Sequence, residues 1–381
     1  MTSVREVIRR FFTSVKPLPS GIYHYQSPPS VSQPYRLHLR LEPDGSGILI
    51  VNASTILHLN QSAAEYTYHI IKNSSVDEAA DQIAGRYRVS KTHAANDFTE
   101  LKDRIQTLID TPDLDPEMYL DFQRVSPASG SLSSPYRLDC ALTYRHREGF
   151  FPLTAGHASD KSELSTSAWI SIIDKAWSAG IPHLVFTGGE PTLRDDLPAL
   201  LSRAEENGQV CGLITDGLLF SDPDQLSLYL RTGLDHVLVD LTPEVPSSWS
   251  ALENLIAADL FVSVHLTVTM QNALEAEYVL RKLASNGIKH ISLSTNDLTL
   301  QNTLINLRNL AASMEMSLIW DLPVPYSSIN PISLETQEDT AAQERIPTSL
   351  YIEPDGDVLP AQGVNLVLGN LLSDPWEKIW Q

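Results

Sequence analysis

Thiols are scarce in this chain. Its 381 residues include two cysteines, Cys140 and Cys211. Two thiolates fall short of the four that hold an ordinary iron–sulfur cluster. They are far apart and lack Cys-x-x-Cys spacing, which also argues against zinc. Each lies in an apolar strand-like run, Asp139-Cys140-Ala141-Leu142 and Val210-Cys211-Gly212-Leu213-Ile214, so both read as buried, inert thiols. Basic charge is scarce too. There are 27 Lys and Arg against 47 Asp and Glu, a net charge of −20. That balance speaks against nucleic acid as a partner, because phosphate contacts need clustered cations. Long apolar runs are missing. No stretch reaches the roughly 18 residues of a membrane span, so no membrane partner is expected. Residues 1–16 mix Arg5, Arg9, Arg10 and Lys16 with apolar residues, without a continuous apolar centre or a small-residue cleavage site. They read as a short amphipathic helix rather than a secretion signal. The cytoplasm is the expected compartment.

What is present is ordinary for a globular protein of two or three domains: 42% hydrophobic and 19% charged residues. Residues 1–34 join the N-terminal helix to a linker composition, with Pro17, Pro19, Pro28, Pro29 and Pro34 among serines. Residues 35–110 form a unit of their own. Leu37, Leu39 and Leu41 alternate with Arg36, His38 and Arg40, which is strand periodicity. Pro43-Asp44-Gly45 supplies turn chemistry. Segments 48–51 and 55–59 read as two more strands, giving a hairpin or three-stranded sheet. Asn60 is placed to cap a helix through Ala63, Ala64, Tyr66, Tyr68 and Ile71. A second helix starts near Ser75, with Asp77 and Glu78 in the first turn, where the helix dipole favours them. A third carries Ala94, Ala95, Phe98, Leu101, Ile105 and Leu108 at helical spacing. Three strands and three helices in this order make a winged-helix-like α+β domain. Residues 111–134, with Ser126-Pro127-Ala128-Ser129-Gly130-Ser131, read as a flexible connector.

From residue 135 to about 330 the pattern alternates between strand and helix. Strands are predicted at 137–143, 183–187, 210–214, 236–240, 261–269, 290–293 and 316–321. Helices are predicted at 167–179, 197–207, 223–231, 248–258, 273–286 and 300–313. Gly180, Gly208, Gly233 and Gly287 fall where helix C-caps belong. Such alternation means parallel βα units. Six or so repeats fit a partial or full β/α barrel better than an open sheet. In the tail, 331–381, the run from Leu350 to Pro360 reads as a hairpin around Pro354-Asp355-Gly356.

Two runs carry a family resemblance. One is Leu142-Thr143-Tyr144-Arg145-His146-Arg147-Glu148-Gly149-Phe150-Phe151-Pro152-Leu153, and the other is Phe186-Thr187-Gly188-Gly189-Glu190-Pro191-Thr192. Together they resemble the radical S-adenosylmethionine (SAM) family, of the peptide-modifying, SPASM-like type. In that family the first strand leads into Cys-x-x-x-Cys-x-x-Cys, which holds an iron–sulfur cluster chelated by SAM. Here the three positions are His146, Phe150 and Leu153. The resemblance therefore implies an α/β fold, a radical-SAM-like partial β/α barrel, in a degenerate member where no iron–sulfur cluster is expected. It implies SAM-binding positions at Gly188, Gly189, Glu190 and Pro191, whose backbone and Glu meet the SAM amino group in relatives. The glycines there let the ligand approach the main chain closely. Thr215-Asp216-Gly217 resembles the family's Thr-Asn-Gly, so Thr215 and Asp216 join the set. The added charge of Asp216 suits a cationic ligand or holds a turn. Asp240 ends the fourth strand, in a region that contacts the ribose in relatives. The alternative is that all these residues persist because they shape βα turns. The resemblance assigns no catalytic residue and no metal ligand. A His146, His157 and Asp160 metal set is the competing possibility, against solvated or packed loop residues. The tail resembles the start of a SPASM extension. Ala361 stands at a position often cysteine there, so the extension reads as truncated and cluster-free.

The N-terminal unit carries a second resemblance, through Ile50-Val51-Asn52-Ala53-Ser54, Leu57-His58-Leu59-Asn60-Gln61-Ser62-Ala63-Ala64-Glu65, Ser75-Val76-Asp77-Glu78-Ala79-Ala80, Tyr87-Arg88-Val89 and Asp97. These residues are similar to the PqqD-like family, whose domain binds the leader of a precursor peptide as an added strand beside its third helix. Backbone hydrogen bonds supply affinity in that mode and side-chain pockets supply selectivity. A domain that only packs is the bland alternative. The expected function is thus a radical-SAM-like pseudoenzyme that binds a precursor or leader peptide during maturation of a ribosomal peptide. A cysteine-intact radical SAM relative is a further candidate partner. The alternative is an active enzyme that uses SAM or another small substrate in the barrel pocket without a cluster, with Glu190, Asp216 and Asp240 as acid–base candidates.

Overall fold

The structure is a computed structural model, and its described residues are 15–28, 30–31, 34–52, 55–111, 114, 132–147, 162–258, 260–319 and 348–380. The amphipathic segment up to residue 14, most of the connector 115–131, Phe150, Leu153, His157, Asp160 and residues 320–347 lie outside them. The chain divides into two compact units, residues 1–133 and 134–381.

In the first unit an antiparallel sheet runs in the order β1 (Gly21–Gln26), β2 (Arg36–Leu41), β3 (Gly47–Val51) and β4 (Thr55–Leu59). Strand β1 corrects the sequence reading, because it falls inside the proline-rich segment 1–34 taken as linker. The prolines flank the strand instead of interrupting it, so its N–H groups remain free to pair. Its register sets Tyr23 opposite Leu39 and Tyr25 opposite Leu37. Tyr23 then meets the ring of Tyr68 edge-on at 4.8 Å. Three helices follow: α1 (Gln61–Ile71), α2 (Val76–Tyr87) and α3 (Lys91–Asp110). Asn60 caps α1 by accepting from the Ala63 N–H, and Ser75 with Glu78 forms a capping box on α2. Leu37, Leu39, Leu49, Leu57 and Leu59 pack with Ala64, Ile71, Ile105 and Leu108 into one apolar core.

The second unit alternates strand and helix: β5 (Arg137–Thr143), α4 (Thr166–Ser178), β6 (His183–Gly188), α5 (Leu197–Asn207), β7 (Val210–Thr215), α6 (Pro223–Leu230), β8 (His236–Asp240), α7 (Pro246–Ala257), β9 (Phe261–Thr267), α8 (Ala276–Ser285), β10 (His290–Ser294), α9 (Gln301–Ser313) and β11 (Ser317–Leu318). From β5 to β11 each strand lies parallel to the next in sequence. In-order parallel units with one crossover hand place every helix on the same face and curl the sheet. At the β5 edge the hairpin β12 (Ser349–Ile352) and β13 (Asp357–Leu359) joins through β12, which runs parallel to β5. The two-residue β14 (Gly369–Asn370) and a short helix α10 (Trp376–Ile379) complete the tail. The fold is a radical-SAM-like partial β/α barrel.

Alternation along the strands separates two environments. Leu138, Cys140, Leu142, Leu184, Phe186, Cys211, Leu213, Val237 and Val239 enter the large apolar core with the helices. The intervening residues face the other side, and many are polar. Some of those polar groups pair with one another: Arg137 Nε donates to Asp139 at 2.7 Å, and the Nε2 atoms of His183 and His236 lie 2.7 Å apart. Burial holds His236 down at about 4, with the Arg137 charge acting in the same direction.

Candidate functional site

The turn after β6 is built on the chain segment that leaves β5. The Gly189 N–H donates to the Thr143 carbonyl at 2.7 Å, and the Glu190 N–H donates to the Arg145 carbonyl at 2.8 Å. This close crossing explains both glycines. A Cβ at Gly188 would meet the Thr143 carbonyl oxygen at 2.2 Å, and one at Gly189 would meet that of Arg145 at 2.3 Å. Gly188 also takes φ +114°, a conformation that side chains disfavour. The group that comes close to these glycines is therefore the chain's own backbone, where the family resemblance placed a ligand.

Glu190 is the hub of this corner. It is 3% exposed, and it caps the single 3₁₀ turn Pro191–Leu193. One carboxylate oxygen accepts from the Thr192 N–H at 2.9 Å, from the Thr192 hydroxyl, and from the Thr215 hydroxyl at 2.9 Å. The other accepts from the Asp216 N–H at 2.7 Å and again from Thr215 at 3.0 Å. Burial, followed by the neighbouring charge of Asp216, raises its pKa, while these donors pull it back down.

Asp216 faces a cation. Arg147 Nε donates to Asp216 Oδ2 at 2.9 Å, and a terminal nitrogen of Arg147 donates to the Thr192 hydroxyl at 2.7 Å. Asp216 Oδ1 also accepts from the Leu218 N–H at 2.9 Å. The Thr192 hydroxyl has one proton and two lone pairs, so it can accept from Arg147 and donate to Glu190 at once. Sequence reasoning passed over Arg147 and Thr192. The available signal was a cation one residue after the first vacant cysteine position, in a chain of net charge −20. Arg194 plays a supporting part nearby. It forks onto Asp196 at 2.9 and 2.7 Å and donates to the Leu142 and Leu164 carbonyls.

Asp240 is placed differently. It ends β8 in register with His265 of β9, which is in register with Ser292 of β10. No described residue donates a hydrogen bond to its carboxylate. Burial, then the charge of Asp216, pushes its pKa up to about 7. His265 lies fully buried beside it. Its Nδ1 is 3.0 Å from the Ser292 hydroxyl, and its Nε2 is 2.9 Å from Ser294 and 3.1 Å from Thr267. Burial holds this imidazole down at about 3, so it is neutral near pH 7.

The arrangement draws Glu190, Thr215 and Asp216 together around Arg147, with Pro191 opening the turn and Asp240 within the electrostatic reach of Asp216. Three carboxyl groups and one guanidinium leave a net negative mouth that attracts cations. A carboxyl with a pKa of about 7 is suited to accept or give a proton. Metal chemistry has less to work with. Among the described residues no three His, Cys, Asp or Glu side chains are grouped to hold an ion. Cys140 and Cys211 are buried in the helix-facing core, and burial drives the Cys140 thiol well up. Neither thiol reaches the mouth, so the residues present do not fit a thiolate-held cluster. His146 is half-buried, and desolvation lowers its pKa while Asp216 acts the other way. His157 and Asp160, its possible co-ligands, lie outside the described residues. Arg147 meets Asp216, and Glu190 is held by its own turn, so both acidic positions implied for SAM already have partners within the chain.

Known proteins share this framework. Residues 147–242 match the model of the Radical SAM superfamily. The PqqA peptide cyclase of Granulibacter bethesdensis is 39% identical over 75 residues, which span 20% of this chain and 20% of that protein. The crystal structure of Streptococcus suis SuiB bound to S-adenosylmethionine superposes with a TM-score of 0.61 at 15% identity, covering 90% of this chain and 86% of SuiB. SuiB bound to precursor peptide SuiA gives 0.59 at 14% identity, over 96% of this chain and 88% of that one. At such identities the likeness establishes the fold. Residues 147–242 are thus radical-SAM-like in sequence, and the chain is radical-SAM-like in fold.

Proposed function

We propose that this chain is a radical-SAM-like pseudoenzyme: a peptide-handling protein on a radical SAM scaffold, without an iron–sulfur cluster. One observation carries the reading. Both thiols face the helices, and the mouth where a cluster would be held offers no thiolate among the described residues. Cleavage of SAM to a radical needs an electron from a cluster, and no side chain substitutes for that cofactor. The direct test is anaerobic reconstitution of the full chain with iron and sulfide. Iron well below stoichiometry and a featureless visible spectrum are expected; a stable near-stoichiometric [4Fe–4S] signal would sink the reading.

The proposed partner is a precursor or leader peptide. The similarity to PqqA peptide cyclase supports it, as does the likeness to SuiB, one structure of which holds precursor peptide SuiA. The first unit supplies a docking edge. Strand β4 is the last in its sheet, and an outer strand presents unpaired N–H and C=O groups to an extended chain. Titrating leader peptides into the labelled full chain should shift the amides of Thr55–Leu59 and of α3. Shifts confined to other residues, or none at all, would leave the PqqD-like unit as a packing module. The peptide-binding role places the chain beside a cysteine-intact radical SAM relative, which would do the chemistry.

A second reading rests on Asp240. A carboxyl with a pKa of about 7 and no hydrogen-bond donor among the described residues, at a strand's C-terminal end, suits acid–base work on a small substrate. Affinity for SAM discriminates between the two. Without iron to chelate it, SAM should bind no better than roughly 10–100 μM, and nanomolar binding by calorimetry would favour an active SAM-using pocket.

A further inference from the structure

We propose that Arg147 is an internal occupant of a cation-binding pocket: its guanidinium fills the corner made by Asp216, Thr192 and Glu190, and its withdrawal opens that corner to a small alkylammonium or alkylguanidinium group. The inference deepens the reading above and rests on its view of the chain as a radical SAM scaffold that no longer carries out that chemistry.

The geometry is that of a bound ligand. Nε of Arg147 donates to the Asp216 carboxylate at 2.9 Å, and a terminal nitrogen donates to the Thr192 hydroxyl at 2.7 Å. The Thr192 hydroxyl in turn donates a hydrogen bond to Glu190, so the guanidinium is linked to both carboxylates. The receiving groups are fixed without help from Arg147. Glu190 is oriented by the Thr192 and Asp216 N–H groups, and Asp216 by the Leu218 N–H. The corner is therefore preorganised, and preorganised acceptors bind a cation at little ordering cost. The arginine itself comes from a different place. It lies 45 residues from Thr192 and 69 from Asp216, on the segment that leaves β5. It is half-buried, with its side chain 26% exposed. A side chain at that exposure can leave without disturbing the core. The charge balance points the same way. Asp216 raises the pKa of both Glu190 and Asp240, so the carboxylates repel one another. A cation among them offsets that repulsion, and the chain supplies its own.

The experiment is chemical rescue on the full chain. Arg147→Ala removes the occupant and should lower Tm by about 2–6 °C. Ethylguanidinium chloride should restore most of that loss in the variant, saturably, with half-effect near about 1–10 mM as expected for a six-atom ligand. Sodium chloride at the same ionic strength should not. Wild type should show no saturable response. Rescue should disappear in the Arg147→Ala/Asp216→Asn double variant. A folded Arg147→Ala protein that ignores ethylguanidinium, or a wild type that responds equally, overturns the proposal. If Arg147→Ala does not fold, hydrogen exchange at Arg147 Nε in the wild-type chain decides. Protection that is lost in Asp216→Asn upholds the occupant, and fast exchange in wild type overturns it. A parallel SAM titration separates the two levels. Rescue with at least tenfold tighter SAM binding in Arg147→Ala supports both readings. Rescue without that gain upholds the cation pocket and removes SAM as its former ligand.

Discussion

Two carboxyl groups near the barrel mouth are shifted in the same direction and held in different ways. Glu190 lies in the turn after β6, and five donor contacts from Thr192, Thr215 and Asp216 surround it. Asp240 ends β8 with no described donor at all, beside a neutral His265. Burial raises the pKa of both. In the turn the donors offset only part of that rise while fixing the carboxyl as a structural peg. At the strand end no described donor offsets it, and the pKa reaches about 7. Burial raises both groups, and the described donors are what distinguish the two positions.

The largest effect should come from removing the peg. Glu190→Ala strands the Thr192 and Asp216 N–H groups in a nearly dry corner, because Glu190 is 3% exposed. A loss of about 3–5 kcal/mol is expected from chemical denaturation of the full chain. A loss below about 1 kcal/mol would mean that water accepts from these donors instead, and the contrast with Asp240 would collapse.

Asp240→Asn should act with the opposite sign. The carboxyl rises from its ordinary value of 3.8 to about 7 on folding. Between those values the folded state holds more protons than the unfolded one, so stability falls as pH rises through the window. The favourable term is fully present below about pH 4 and lost above about pH 7. Asn cannot ionise, so the variant should equal wild type near pH 4 and exceed it by about 1–3 kcal/mol at pH 8, a range reduced for the group's partial solvent contact. Denaturation midpoints across pH 4–8 measure this directly. Some slope should remain, because Glu190 is shifted in the same direction. Parallel wild-type and variant curves would show that Asp240 is partnered after all.

The smallest effect tunes the peg without removing it. Thr192→Val deletes one hydroxyl donor to Glu190 and the acceptor for Arg147 while keeping the backbone N–H. About 1 kcal/mol should be lost. Ethylguanidinium should also rescue Arg147→Ala less well on this background. An unchanged midpoint would show that Thr215 and the two N–H groups suffice.

Much of the barrel was legible in the sequence. The strand segments beginning at Arg137, His183, Val210, His236, Phe261 and His290 start where apolar alternation placed them. Helix caps at Asn60 and Ser75 follow from residues within three positions of one another. These features are local, so a window of ten or so residues contains their cause. Strand β1 was not legible, because its stability comes from pairing with β2 and from Tyr23 against Tyr68, while its own surroundings read as proline-rich linker. The turn Gly188–Gly189–Glu190–Pro191 was recognised, but the backbone crossing that also demands its glycines was not. The residues that crowd the glycines, Thr143 and Arg145, are over 40 positions upstream.

The sequence by itself determined the counts and the periods: two thiols, an excess of acid, and strand and helix runs in strict alternation. Those limit the available chemistry and, through one crossover hand, lead to a curled parallel sheet. Tertiary structure alone decided which carboxyl receives donors and which does not, and that a guanidinium from the segment after β5 meets Asp216. Partnering of that kind depends on distances between strand ends that are remote in sequence. Local residue preferences carry no information about such distances, and packing sets them all at once.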